Sequence, residues 1–82
     1  MSNGKQVLIV DDEKPLLEML SEQLQLHEEF EITTATNGSD ALELSKNDYF
    51  DIILLDVGLP DMDGREACRL MRRSGVKSPI IM

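Results

Sequence analysis

Acidic residues follow two of the most apolar segments of the chain, at the positions where predicted strands end. Asp56 comes directly after the run Ile52–Leu55, and Asp11 and Asp12 come directly after residues 7–10. If the two runs form neighbouring parallel strands, the three carboxylates meet at the sheet edge where open α/β folds bind ligands. Carboxylates at such short range repel one another, and a hard cation that prefers oxygen ligands, Mg²⁺ above all, relieves that repulsion. The spacing therefore predicts a divalent-metal site.

The segment after Asp56 offers further oxygen atoms. The backbone carbonyl of Gly58, two residues on, could fill another position around the metal. Asp61 and Asp63 could extend the site, but the proline and glycine around them favour a turn that leads into a helix cap.

Helix capping and turn formation are the competing interpretation of the first three aspartates, because Asp is common at N-caps and in turns. For either acidic site alone, that interpretation is the better one. Two acidic sites that each follow a buried-strand pattern, and that are separated by two βα units, are harder to explain by capping. Their combination favours the metal site.

The hydrophobic pattern predicts alternating strands and helices around these aspartates. Strands are predicted at residues 6–10, 30–36, 50–55 and 78–82, and helices at 13–26, from the turn 37–40 to about 47, and from 63–64 to a stop at 74–75. The order βαβαβαβ requires right-handed crossovers and a parallel sheet with helices on both faces. The fold class predicted is therefore a doubly wound α/β sheet.

Composition excludes several classes of function. The chain has 82 residues and a net charge of −8, so a nucleic acid or an anionic membrane surface is an unsuitable direct partner. It contains neither an export signal nor an apolar stretch of about 20 residues that could cross a membrane. The single cysteine, Cys68, cannot form an internal disulfide, and we interpret it as a packing residue rather than a redox switch. We expect a cytoplasmic protein.

The third helix has one apolar and one basic face. Its apolar residues, Ala67, Leu70 and Met71, are predicted to point inward. Its arginines are predicted to form a solvated outer face; they are Arg65, Arg69, Arg72 and Arg73. His27, near the end of the first helix, is interpreted as a solvated cap rather than as a metal ligand or phosphoryl acceptor.

Together these segments resemble the receiver domain of two-component response regulators. The resemblance covers the whole chain and is carried by residues 7–13, 37–42, 51–64 and 78–82. Its most specific elements are the acidic pair, an Asp followed by Leu-Pro three residues later, and Met-Asp-Gly.

The resemblance implies a role for each acidic residue. Asp56 is implied to be the phosphoacceptor, Asp12 a direct Mg²⁺ ligand, Asp11 a ligand acting mainly through water, and the Gly58 carbonyl a further ligand. The implied fold is flavodoxin-like, with parent strand order 2-1-3-4-5, of which this chain supplies β1-α1-β2-α2-β3-α3-β4. The implied partner is a sensor histidine kinase or a phosphotransfer protein. The chain would be a phosphoacceptor rather than an enzyme, with weak autophosphatase activity allowed in a longer parent, whose output domain could bind DNA.

The sequence departs from the family pattern after its fourth strand. The pattern continues there with a hydroxyl residue and then a fifth strand that ends in a lysine, and neither lies within these 82 residues. Lys77 and Lys14 are unsuitable substitutes, because the first precedes the fourth strand and the second lies beside the acidic pair. We therefore expect residues 1–82 to be the N-terminal portion of a single receiver domain that binds Mg²⁺, has lost switching and self-associates.

Three other functions compete with this interpretation. A haloacid-dehalogenase-like phosphatase also uses a strand-end Asp and Mg²⁺, but it requires a second Asp at the position that Gly58 occupies. A phosphorylation-incompetent, receiver-like docking or dimerisation module remains the main alternative. A calcium-binding EF-hand is excluded, because residues 61–66 lack its ligand spacing.

Overall fold

The computed structural model describes residues 4–27 and 29–82, which form alternating strands and helices in the predicted order. The elements are β1 (Lys5–Val10), α1 (Lys14–Gln25), β2 (Phe30–Ala35), α2 (Gly38–Asn47), β3 (Ile52–Leu55), α3 (Gly64–Arg73) and β4 (Ile80–Ile81). Among the described residues, no helix is both long and apolar enough to cross a membrane.

The strands form one parallel sheet with the order β2-β1-β3-β4. β1 lies in the interior, between β2 and β3, and Val10 pairs with Ala35 on one side and with Leu55 on the other. The predicted flavodoxin-like arrangement is confirmed for these four strands. Because β1 and β3 end at the same level, the residues that follow them lie side by side.

Alternate side chains of the central strands enter two hydrophobic clusters, one on each face of the sheet. Leu8, Val10, Ile53 and Leu55 pack with Ala67 and Met71 of α3 and with Ala41 of α2. Val7 and Ile9 pack on the opposite face against Leu17 of α1. A strand buried on both faces must be apolar at every position, which explains the continuous runs.

The third and fourth strands are shorter than predicted. β3 begins at Ile52. At the preceding residue the regular backbone pairing with β1 is interrupted, because the Gln6 amide donates to the side-chain Oδ2 of Asp51, at 2.7 Å. β4 is limited to Ile80–Ile81, and Pro79, which has no amide hydrogen, joins the sheet only through its carbonyl, 2.9 Å from the Ile53 nitrogen.

The helix faces agree largely with the prediction. Ala67 and Met71 are fully buried, Leu70 and Cys68 are partly buried, and all four arginines of α3 are exposed. Arg72 is nevertheless more than a solvated side chain, because its Nη1 donates to the carbonyls of Val76 at 3.0 Å and Ser78 at 2.8 Å. It thereby fixes the connection from α3 to β4, an interaction that the sequence pattern did not reveal.

Candidate metal centre

The sheet places Asp11 and Asp56 next to each other. Each directly follows the last residue of its strand, and those last residues, Val10 and Leu55, are partners in the sheet register. Sheet hydrogen bonding continues into both aspartates: the Asp56 amide donates to Val10 O at 2.9 Å, and the Asp11 amide donates to Ala35 O at 3.1 Å. Their backbones are thus held by the sheet rather than by a free loop.

Asp12 completes a cluster of three carboxylates. One carboxylate oxygen from each of Asp11, Asp12 and Asp56 lies within 4.8 Å of the other two. Asp11 and Asp56 are half-buried and Asp12 is exposed. The cluster has only oxygen donors and one side open to solvent, which is the environment in which proteins bind Mg²⁺ together with several water molecules.

The spacing of these oxygens fits a magnesium ion. Ligand oxygens about 2.1 Å from Mg²⁺ are separated by no more than about 4.2 Å. The oxygens of the cluster lie within 4.8 Å of one another, so at most a small side-chain rotation or one intervening water molecule is needed to reach that geometry. The residues present therefore fit the ion that the sequence predicts.

Asp11 also takes part in the turn into α1. Its Oδ1 accepts a hydrogen bond from the Glu13 amide at 2.9 Å. The turn interpretation is therefore correct for one oxygen of Asp11, whereas the cap interpretation is wrong, because the N-cap of α1 is Glu13 and no side chain caps that helix. The turn contact does not exclude metal binding, because a carboxylate has two oxygens with several lone pairs.

The β3–α3 loop, residues 56–63, carries the predicted carbonyl ligand. Gly58 is exposed and pairs through its backbone with Asp63, and the Gly64 amide donates to Val57 O at 2.8 Å, so the loop closes upon itself. Leu59 fixes its centre, because that side chain is only 9% exposed within the core. Whether the Gly58 carbonyl binds the metal stays a prediction.

Gly64 allows α3 to begin directly against this loop. A Cβ atom at Gly64 would lie 2.3 Å from the Asp56 carbonyl oxygen and 2.8 Å from Val57 Cα. Only a residue without a side chain fits there.

Asp61 and Asp63 lie outside the carboxylate cluster and bind helix N-termini. Asp63 is the N-cap of α3 and accepts from the Arg65 amide at 2.8 Å, as predicted. Asp61 binds instead to α2, accepting from the amides of Gly38 at 2.8 Å and Ser39 at 2.9 Å. The sequence suggested a cap at Asp61 but gave no signal for the distant helix that it caps.

Hydrogen bonding lowers the pKa of both capping carboxyls. The Gly38 and Ser39 amides hold the pKa of Asp61 below its usual range. For Asp63 the main cause of the lowered pKa is the Arg65 side chain, which lies 3.1 Å away through its Nη2, followed by the Arg65 amide. Both carboxyls are consequently held in the charged form that binds a helix N-terminus.

His27 lies away from the acidic cluster. It is exposed after α1, and its Nδ1 is 3.8 Å from a carboxylate oxygen of Glu29, which is also exposed. This placement agrees with the interpretation of His27 as a solvated residue.

Comparison with known proteins identifies the family. Residues 7–82 match the family model of the response regulator receiver domain. The chain belongs to the response regulator receiver domain family. It is therefore a receiver domain of two-component signalling, and the four-stranded sheet and acidic cluster described above are parts of that domain.

Sequence relatives and solved structures agree with this assignment. The receiver domain is 36% identical over 79 residues to the alkaline phosphatase synthesis transcriptional regulatory protein PhoP of Bacillus subtilis. That match covers 96% of this chain and 32% of the relative, so the chain spans about a third of the length of PhoP.

Two structures of the response regulator TrrA of Thermotoga maritima are similar to this receiver domain at 37% sequence identity. One is a complex of TrrA with Mg²⁺ and beryllofluoride, with a TM-score of 0.86 and coverage of 95% of this chain and 67% of TrrA. The other is a complex of TrrA with the histidine kinase ThkA, with a TM-score of 0.83 and coverage of 93% and 65%.

Proposed function

We propose that this receiver domain accepts a phosphoryl group on Asp56 in a Mg²⁺-dependent reaction. The observation that carries the proposal is the convergence of three carboxylates, from the ends of two adjacent strands, within 4.8 Å. The donor proposed is the phosphohistidine of a sensor histidine kinase or of a phosphotransfer protein. Structures of TrrA with Mg²⁺ and beryllofluoride and with ThkA support the proposal by similarity.

Each residue has a defined part in the proposed reaction. An Asp56 carboxylate oxygen attacks phosphorus in line with the departing histidine nitrogen, so a P–O bond forms as the P–N bond breaks. Asp11, Asp12, Asp56 and the Gly58 carbonyl would hold Mg²⁺, which when bound neutralises charge on the phosphoryl oxygens. The sheet hydrogen bond of the Asp56 amide and the partial exposure of this residue support the role, because they hold the residue at the end of β3 while leaving part of it open to a donor.

The surroundings of Asp56 suit a phosphoacceptor better than a phosphatase. Gly58 stands where a haloacid-dehalogenase-like phosphatase requires a second Asp, so no carboxylate at that position can protonate a leaving group. We propose that the domain participates in its own phosphorylation without turning over an external substrate.

Beryllofluoride binding tests this proposal, because it requires the metal and the acceptor carboxylate together. Fluorine NMR of the 82-residue chain should show a protein-bound signal that appears with Mg²⁺ and is lost in Asp56→Asn. Asp48→Asn is the matched control, since Asp48 is an exposed acidic residue at the C-cap of α2. A bound signal that persists in Asp56→Asn, or no bound signal in the folded wild-type chain, would contradict the proposal.

The second candidate function is a docking or dimerisation module, and the exposed edge at β4 favours it. Ile81 is 53% exposed and Met82 is 57% exposed, in a strand of two residues that has β3 as its partner. Among the described residues β4 has β3 as its strand partner, and an apolar strand edge without a second partner promotes pairing with another chain. We expect the 82-residue chain to self-associate, and Ile81→Lys to shift light-scattering masses toward monomer. A wild-type chain that is monomeric at high concentration would count against this candidate.

We further propose that these residues are the N-terminal part of one receiver domain in a longer cytoplasmic regulator with a DNA-binding output domain. The match to about a third of PhoP, a transcriptional regulatory protein, supports this proposal. Reading the coding sequence beyond position 82 tests it: a fifth receiver strand followed by a basic helical domain is expected, and an immediate unrelated domain would overturn it.

A further inference from the structure

The N-terminus of α2 is capped from two directions. Its own N-cap, Asn37, accepts a hydrogen bond from the Asp40 amide at 2.8 Å and leaves the two preceding amides to other partners. Asp61 takes both of them, with Oδ1 on Gly38 N at 2.8 Å and Oδ2 on Ser39 N at 2.9 Å. The free amides of a first helical turn are thus shared between a local cap and a carboxylate from the β3–α3 loop.

A second contact lies beside this cap. The Met62 side chain covers Gly38, where a Cβ atom would be 2.6 Å from Met62 Cγ and 2.7 Å from its Sδ. Met62 also packs against the main hydrophobic cluster. Residues 61 and 62 therefore attach the β3–α3 loop to the first turn of α2 in two ways. The Asp61 carboxylate accepts two backbone hydrogen bonds, and the Met62 side chain packs against Gly38.

The loop has other attachments besides Asp61, both at its centre and at its two ends. Leu59 is buried in the core, Gly58 pairs with Asp63, and the Gly64 amide donates to Val57 O. Among the described residues, the side-chain hydrogen bonds from this loop to α2 are those of Asp61. Gly58 is exposed, and a Cβ atom there would meet no heavy atom of the described residues within 4 Å. The position of this backbone is therefore set by its connections rather than by direct packing.

We propose that Asp61 is a positioning residue for the metal site: its carboxylate ties the β3–α3 loop to α2 and so holds the backbone around Gly58 ready to bind Mg²⁺. This inference rests on the proposed function, because it concerns the same Mg²⁺ site. Metal affinity depends on how far the ligands must reorganise, so loosening the loop weakens binding even though Asp61 touches no ion.

The coupling must act in both directions. If the tie between Asp61 and α2 strengthens Mg²⁺ binding by some factor, then bound Mg²⁺ strengthens that tie by the same factor. Saturation with Mg²⁺ is therefore expected to slow hydrogen exchange at the amides of Gly38 and Ser39. This slowing should exceed that at the core amide of Leu8, which Mg²⁺ protects only by stabilising the folded state. A role of Asp61 in helix stability alone would give no such excess.

Asp63 supplies a matched control in the same loop. Asp61→Ala and Asp63→Ala each remove one negative charge and one helix cap, but only the first cuts the connection to α2. Mg²⁺ affinity is measured by amide chemical shifts, with the folded fraction of each variant checked by circular dichroism. Asp61→Asn serves as a second variant that keeps one acceptor oxygen and preserves the side-chain shape.

We expect Asp61→Ala to weaken Mg²⁺ binding at least about fivefold and to abolish the excess of Mg²⁺-dependent slowing at Gly38 and Ser39 over that at Leu8. Asp63→Ala should change the affinity by less than about twofold, and Asp61→Asn should lie between the two. Equal weakening in both alanine variants would assign the effect to charge alone and overturn the inference. Unchanged affinity in Asp61→Ala would overturn the inference but leave the proposed function intact, whereas a folded wild-type chain that binds no Mg²⁺ would overturn both.

Discussion

Replacing Gly64 with alanine tests how tightly α3 is packed against the β3–α3 loop. The added Cβ would lie 2.3 Å from the Asp56 carbonyl oxygen and 2.8 Å from Val57 Cα, whereas carbon atoms in ordinary contact are about 3.5–4.0 Å from their neighbours. Because both obstacles are backbone atoms, no rotamer change relieves the overlap. The start of α3 must therefore move by about 1 Å away from Asp56, the proposed phosphoacceptor.

The energetic cost follows from this overlap. Overpacking costs about 1–3 kcal/mol, and rigid backbone obstacles place Gly64→Ala near the upper end. Alanine returns at most about 1 kcal/mol through its higher helix preference. The expected net loss is about 2 kcal/mol, equivalent to a lowering of the melting temperature by about 8–16 °C in a domain of this size.

Two other glycines provide the controls for this measurement. At Gly38 the obstacle is the flexible Met62 side chain, so Gly38→Ala should cost less than about 1 kcal/mol. At Gly58 a Cβ would meet no described heavy atom within 4 Å, so Gly58→Ala should change stability by less than about 0.5 kcal/mol. The assay is thermal and urea denaturation followed by circular dichroism. One kcal/mol of unfolding free energy corresponds to about 4–8 °C in melting temperature for a domain of this size. A melting temperature of Gly64→Ala within about 2 °C of the controls would therefore refute the predicted loss.

Two further predictions concern acid stability and a buried hydroxyl. The amides of Gly38 and Ser39 lower the pKa of Asp61 in the folded state, so its stabilising contribution is present above the unfolded-state pKa of about 3.9 and lost as the pH falls through the folded-state value. Urea midpoints should fall on acidification below about pH 4, less steeply in Asp61→Asn; equal slopes would contradict this. The buried Ser78 Oγ donates to Phe50 O at 2.6 Å, so Ser78→Ala should lower the unfolding free energy by about 1–2 kcal/mol, and an unchanged urea midpoint would show that the hydrogen bond contributes little.

The cluster of three aspartates could be predicted because its geometry follows from strand pattern and sheet topology. A continuous apolar run indicates a strand buried on both faces, and two such runs joined by crossovers become parallel neighbours. The residues after Val10 and Leu55 then have to lie together, as the structure shows. Local signals were equally informative at Asp63, where an Asp before Gly predicted the start of α3.

The missed interactions join residues that lie on different elements. Asp61 caps a helix that begins 23 positions earlier, and a cap normally reveals itself only by its spacing from the helix that follows. Arg72 looked like any other exposed arginine because its partners are backbone carbonyls, which carry no residue-type signal. The length of β4 could not be predicted either, because the β-branched residues 80–81 indicate a strand but not where it ends.

Mg²⁺ titration of the 82-residue chain, followed by backbone amide chemical shifts, tests the shared metal site most directly. The wild-type chain should show saturable shifts centred on Asp12, Asp56 and Gly58 with millimolar affinity, and Asp12→Asn should abolish them while Asp48→Asn leaves them intact. Shifts that fail to saturate in the folded wild-type chain, or that persist unchanged in Asp12→Asn, would contradict the assignment of these residues to one magnesium site.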